Sequence, residues 1–199
     1  MSQAKVLTDR EIRKVLLYIA ANRHASRNRA MFLLTHLSGM RVGEVASLRL
    51  CDVLSAEGQV RDEIRLAAAQ TKGDKGRVVL LPKRAQDEIY NYLIGRFRLR
   101  DLKPLLMTDT TRALFASQKH PNRGFTANTL AQTFHYIYEG AGVAGASSHS
   151  GRRGFITSLA HKGVSAKVLM ELAGHKSLAV TQKYIDVNPA MLRAAVELV

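Results

Sequence analysis

Ser26-Arg-Asn-Arg-Ala-Met-Phe-Leu-Leu-Thr-His-Leu-Ser-Gly-Met-Arg-Val-Gly-Glu-Val-Ala-Ser-Leu48 is the stretch on which the fold turns. Met31, Phe32, Leu33, Leu34 and Leu37 cover so much of the circumference of a helix over about residues 26–38 that this helix belongs inside a core, not on its edge. Gly39 ends it. A tight turn at Gly39-Met-Arg41-Val then opens a short third helix through Gly43 to Leu48, and Leu50-Cys-Asp-Val53 reads as a strand.

Upstream, Thr8-Asp-Arg-Glu11 has the form of a capping box, and Ile12, Val15, Leu16 and Ile19 follow at amphipathic spacing, so a first helix packs on the central one. Downstream, Glu-Ile-Arg-Leu from Glu63 alternates and Val78-Val-Leu-Leu is apolar. Between them Thr71-Lys-Gly-Asp-Lys-Gly76 is rich in turn formers, which predicts an antiparallel hairpin with a basic tip. Ile89, Leu93 and Phe97, then Leu130, Phe134 and Ile137, then Phe155 to Leu159, then Val168, Leu169 and Leu172 restore the helical period. Residues 102–128 form a less regular connection holding the apolar fragment Ala113-Leu-Phe-Ala. The fold class is mainly α with a small antiparallel β-sheet, α+β overall, in a single domain spanning 1–199.

Composition narrows the partners. The chain has 199 residues, 46% hydrophobic and 23% charged, ordinary values for a folded domain. Thirty Lys and Arg against sixteen Asp and Glu leave a net charge of +14, an excess that an anionic partner would absorb. Double-stranded DNA is the partner expected, bound less tightly as salt rises. The lone Cys51 excludes an intrachain disulfide and a cysteine metal cluster. With no apolar run long enough for a membrane span and no apolar leader core, the expected location is the cytoplasm, at the nucleoid, without membrane association.

Several polar residues fall at notable places, and each alone has a plain reading. Arg41 and Glu44, three apart, form a structural salt bridge, and Lys72 is an exposed lysine at a hairpin tip. His149 and Arg152 make a polar pair on one helix face, His175 after Gly174 is a capping or core histidine, and Tyr184 is one of six tyrosines. Their order and spacing say more. Leu37-Ser-Gly-Met-Arg41-Val-Gly-Glu44, Thr71-Lys72-Gly-Asp-Lys75-Gly-Arg77, His149-Ser-Gly-Arg152-Arg153-Gly-Phe155, and Leu172-Ala-Gly-His175 followed nine residues later by Tyr184 together resemble the tyrosine recombinases, or phage-type integrases. The likeness runs from about Leu7 to Tyr184.

This resemblance implies a DNA strand transferase whose catalytic set is Arg41, Lys72, His149, Arg152, His175 and Tyr184, with Glu44 in support. Tyr184 would attack the scissile phosphate to give a 3'-phosphotyrosine and a free 5'-hydroxyl, with Arg41, Arg152 and His175 on the phosphate and His149 as general base. Lys72 would protonate the leaving oxygen, with Lys75 on the same turn as its rival. Neither metal, ATP nor another cofactor is expected. Arg27, Arg29, Lys75, Arg77 and Arg153 are the expected DNA contacts, and the helix near residues 127–132 is a candidate for the groove. A dimer to tetramer on DNA follows from the resemblance, as does a helper DNA-bending protein. Residues 185–199, with the apolar stripe Met191, Leu192, Ala195 and Val196, either fold back on their own core or contact a neighbouring protomer.

Two departures stand out. The family usually has leucine before the second arginine, where this chain has Gly151, a residue that loosens a helix by roughly 1 kcal/mol relative to alanine and so weakens the support expected for Arg152. The separate N-terminal helical domain of most members is not expected here, which suits either a short recombinase or an excised catalytic domain. Type IB topoisomerase-like relaxation and a non-catalytic DNA-binding accessory role are the alternatives, and a histidine metalloprotein is a weaker third.

Overall fold

A computed structural model describes residues 4–71, 75–117, 123–185 and 189–197. The first helix, α1 (Asp9–Ala20), is capped as its sequence prescribes. Thr8 Oγ1 accepts from the Glu11 amide at 3.3 Å, and Glu11 Oε2 accepts from the Thr8 amide at 3.0 Å. Val15 and Ile19 face inward against α2 (Ala25–Leu37).

Helix α2 is the hub. It is buried continuously from Ala30 to Thr35 because α1, α5 (Lys83–Phe97) and α7 (Ser150–His161) pack around it, which explains the apolar residues on every side. At its end Gly39 adopts φ +63°, and a Cβ there would fall 2.5 Å from the Phe155 ring, so glycine serves both the turn and the contact. The turn delivers Arg41 to the N-cap of α3 (Val42–Ser47), and α3 packs on α6 (Ala127–Gly140).

One sequence expectation is corrected. Leu50–Val53 is a one-turn helix, α4, and not a strand. The apolar pair Leu50 and Val53 sits at the i, i+3 spacing of a helix, both side chains wholly buried, and Asp52 Oδ2 accepts from the Arg49 amide at 2.8 Å. Extended pairing survives only at single bridges flanking the turn, Arg49 to Ala113 and Leu54 to Val60.

Among the described residues the sheet has two strands, β1 (Glu63–Leu66) and β2 (Arg77–Leu80), antiparallel with Glu63 opposite Leu80 and Leu66 opposite Arg77. Ile64, Leu66 and Val79 are buried, while Val78 and Leu80 face outward. The connection includes a 3-10 turn at Ala68–Gln70, and Lys72 lies outside the described residues.

Helices α7 and α8 (Ala166–Ala173) form a second, smaller apolar cluster from Ile156, Ala160, Leu169 and Ala173, on which Phe155, Tyr184 and Ile185 pack, and α9 (Leu178–Gln182) lies against α8. A last helix, α10 (Pro189–Val196), follows. The fold thus places Arg41 on the main core and Arg152, His175 and Tyr184 on the smaller one.

Candidate active site at the C-terminus of helix α8

The last carbonyls of a helix lack intrahelical partners and carry partial negative charge. At the end of α8, three successive carbonyls take three different guanidinium groups. Leu172 O accepts from Arg77 Nη1 at 3.0 Å, Ala173 O accepts from Arg152 Nη2, and Gly174 O accepts from Arg41 Nη2 at 3.4 Å. Gly174 closes the helix in the left-handed region at φ +60°, and a Cβ there would lie 2.6 Å from Arg77 Cδ.

Glu44, 1% exposed, is the carboxylate among them. Its Oε1 accepts from Arg41 Nη1 at 2.9 Å and Arg77 Nε at 3.1 Å, and its Oε2 from the Arg41 amide at 2.8 Å and Arg77 Nη2 at 2.7 Å. Burial pushes this carboxyl upward, but the hydrogen bonds and charge of Arg77, joined by those of Arg41, outweigh it and hold Glu44 below its ordinary value.

Arg152 is 3% exposed, with Nη1 on Gly39 O at 2.8 Å. Burial, together with the charges of Arg41 and Arg77, lowers it to about 9. The support that Gly151 was expected to weaken is instead specific. A Cβ at residue 151 would clash with Thr35 Oγ1 and lie 2.7 Å from Thr35 Cβ, so the glycine lets α7 approach α2 closely enough for Arg152 to reach the turn at Gly39.

His175 follows the α8 cap, its amide donating to Met170 O at 3.0 Å, and its Nδ1 lies 2.8 Å from the Thr181 hydroxyl. Burial first, and then Arg152, Arg41 and Arg77, lower it to about 4, so its ring is neutral near pH 7. The ring stacks on Tyr184, centroids 5.2 Å apart at 26°, and the Arg153 guanidinium lies 5.6 Å from the centre of the Tyr184 ring. Thr157 Oγ1 donates to Tyr184 O at 3.1 Å and ties the tyrosine backbone to α7.

Arg41, Arg152, His175, Tyr184 and Glu44 therefore share one site. His149 is exposed at the N-cap of α7, one turn before Arg152, and Lys75 is exposed beside β2. Four expected DNA contacts sit differently from surface cations, Arg153 among them at 8% exposed on α7. Arg77 is turned inward onto Glu44, Arg27 is 6% exposed and donates to Ala116 O at 3.0 Å, and Arg29 forms a fork with Glu88 of α5. Sequence reading missed Thr181 as the partner of His175, although it lies in the same short block as Tyr184. It also missed the α8 carbonyls, which no residue letter encodes. Among the described residues, no three His, Cys, Asp or Glu side chains gather as a metal site, and no helix is long and apolar enough to cross a membrane.

This helical layering, with its edge hairpin and paired arginines beside a tyrosine, is the architecture of a tyrosine recombinase catalytic domain. The chain belongs to the phage integrase family, whose sequence pattern matches residues 5–191. It is 29% identical over 194 residues to the tyrosine recombinase XerA of Pyrococcus furiosus, covering 97% of this chain and 61% of that protein. To XerA of Thermococcus kodakarensis it is 32% identical over 196 residues, covering 98% and 63%. The chain thus spans roughly three fifths of the length of these relatives. In fold it is similar to the crystal structure of XerA recombinase, with a TM-score of 0.74 at 23% identity over 100% of this chain and 66% of that one. It is also similar to the XerH site-specific recombinase bound to palindromic difH substrate, a post-cleavage complex, with a TM-score of 0.71 at 24% identity over 98% and 53%.

Proposed function

We propose that this chain is the catalytic domain of a site-specific DNA recombinase that cuts and rejoins strands through a 3'-phosphotyrosine bond, using neither metal nor ATP. The observation that carries this reading is the charge balance at the end of α8. Three guanidinium groups gather there beside a tyrosine and two of them share one carboxylate, leaving an excess positive charge suited to a phosphodiester and to the further charge it gains in the transition state.

In this reading the Tyr184 oxygen forms a bond to phosphorus as the bond to the 5'-oxygen breaks. The phenol proton passes to His149, and Lys72, or Lys75 on the same connection, gives a proton to the departing 5'-oxygen. Arg41 and Arg152 hold the non-bridging oxygens with forked donors, and neutral His175 adds a hydrogen bond. Attack by a second strand's 5'-hydroxyl reverses the step and restores both the tyrosine and a phosphodiester, so no external energy source is needed. Arg77 and Glu44 position Arg41. Double-stranded DNA is the substrate, two to four copies act together on it with a DNA-bending helper, and the protein works at the nucleoid in the cytoplasm. Residues 1–199 act as one catalytic unit.

The test is incubation in EDTA with a nicked random-sequence duplex library, followed by denaturation and sequencing of DNA that stays covalently attached. An adduct from the wild type that Tyr184→Phe abolishes, with binding retained, is the expected result. An adduct that persists in the variant, or a strict need for a divalent metal, overturns the proposal.

A further inference from the structure

The face at the start of α2 holds a second group of cations. An open cleft of about 480 Å³ is lined by His24, Arg27, Tyr92, Arg96, Phe97 and Arg112 with smaller neighbours, and among the described residues no carboxylate lines it. Its guanidinium groups hydrogen-bond to main-chain carbonyls, and Arg27 Nε and Nη2 also donate to Asn28 Oδ1 at 3.2 and 3.1 Å. Arg27 donates to Ala116 O, Arg96 Nη1 to Ala113 O at 3.0 Å and Leu114 O at 2.7 Å, and Arg112 Nε to Asp109 O at 3.1 Å. The Asp109 carboxylate is itself turned to the Thr111 amide and hydroxyl, at 2.9 and 2.6 Å.

Aromatic rings hold these cations in place. Arg96 and Arg112 lie 4.6 and 5.3 Å from the centre of the Phe97 ring, and Arg27 lies 5.0 Å from that of Phe125. Carbonyl dipoles and ring faces orient a guanidinium, and the Asp109 carboxylate, which feels the Arg112 charge, is the acidic group near that arginine. The imbalance is felt nearby: burial, then Arg27 and Arg23, lower His24 below its ordinary value. This positive field in a concave, partly desolvated site is what an anion needs.

The geometry points to this cleft as a phosphate-binding site, separate from the cluster around Glu44, that takes a backbone phosphate of a nucleic-acid strand lying across the start of α2. It rests on the proposal that the chain works on DNA and adds a second anchoring point. A strand suits the cleft better than a free phosphate because the cleft is open rather than enclosed and the whole chain carries +14.

Arg112→Gln tests it, since Arg112 is half-buried where Arg27 is buried, and Arg112→Lys keeps the charge. With the full chain and duplex DNA, Arg112→Gln is expected to weaken binding equally across sequences and to reduce the slope of log K against log salt by about 1, while Arg112→Lys restores most of that slope. Thermal melts confirm that both variants are folded. Unchanged affinity and slope in a folded Arg112→Gln overturn the proposal. So does saturable binding of inorganic phosphate that shifts the Arg112 Nε resonance but leaves DNA binding untouched, which assigns the cleft to a free anion. The Tyr184-dependent adduct is scored in parallel. Its absence in the wild type, with the salt slope still sensitive to Arg112, removes the strand-transfer reading and keeps this one.

Discussion

Arg77 grips both oxygens of the Glu44 carboxylate, through Nη2 at 2.7 Å and Nε at 3.1 Å, with the Arg77 side chain 9% exposed and that of Glu44 1%. The same carboxylate holds Arg41, so Arg77 positions a residue proposed to touch the phosphate without touching it. Arg77→Ala leaves a buried carboxylate with one partner fewer, which costs about 3–5 kcal/mol of stability. Arg77→Lys falls between, because a single ammonium cannot span both oxygens and the Leu172 carbonyl. Urea unfolding reads the stability, and adduct yield per folded molecule reads the effect on Arg41. Full stability in Arg77→Ala would show that the pair is not the support described.

Gly151→Ala opposes two effects of known size. Replacing a helical glycine gains about 1 kcal/mol from helix propensity, whereas forcing a methyl into the α2–α7 contact costs typically about 1–3 kcal/mol. The contact is with Thr35 Oγ1, Thr35 Cβ and His36 Nδ1, and Thr35 is wholly buried, so the cost wins and Arg152 shifts. The variant is expected to melt lower and to lose adduct formation more than DNA binding. Thr35→Ala, which removes the clashing hydroxyl, rescues part of the loss in a double-mutant cycle.

These two sites show what the sequence makes legible. Local devices could be read directly, as the Thr8 and Glu11 cap and the helical periods of α1, α6 and α7 demonstrate. Leu50–Val53 was misread because four residues with apolar ends fit a strand or a single helical turn, and Asp52 as the cap decided it. Arg77 sits in a basic, turn-rich stretch that reads as surface, but its partners lie 33 and 95 residues away. Gly151 reads as a weak point in a helix until the neighbouring helix is seen against it.

His175 supplies a pH prediction. Its folded value is about 4 against an ordinary 6.5, so between these pH values the unfolded chain binds more protons. Its share of stability is therefore complete above pH 6.5 and is lost as pH falls toward 4. A phosphodiester bound at the site offsets the repulsion from Arg152, Arg41 and Arg77, and the titration should move upward. Histidine-labelled NMR of the Tyr184→Phe protein, free and with duplex DNA, measures this, with His175→Gln identifying the resonance. His36, half-buried with its Nε2 shut off from solvent and also lowered to about 4 by burial, is the internal control, since it faces the core and should not respond to DNA. A His175 titration indifferent to DNA would place the phosphate elsewhere.

The end of the chain offers a test of assembly. Leu192 and Val196 lie four apart on one face of α10, 59% and 73% exposed, so this apolar face is not covered by the domain's own described residues. Burying a leucine or valine contributes about 1.5–3 kcal/mol, enough for two such side chains to bias an encounter between protomers already held on one duplex. Deleting residues 189–199 should therefore leave the melting temperature and single-site binding close to wild type while abolishing the slower-migrating complexes on two-site DNA. Leu192→Ser with Val196→Ser should do the same without shortening the chain. If the deletion instead lowers the melting temperature and the higher complexes persist, the stripe folds back on its own domain, and contacts between copies must come from another face.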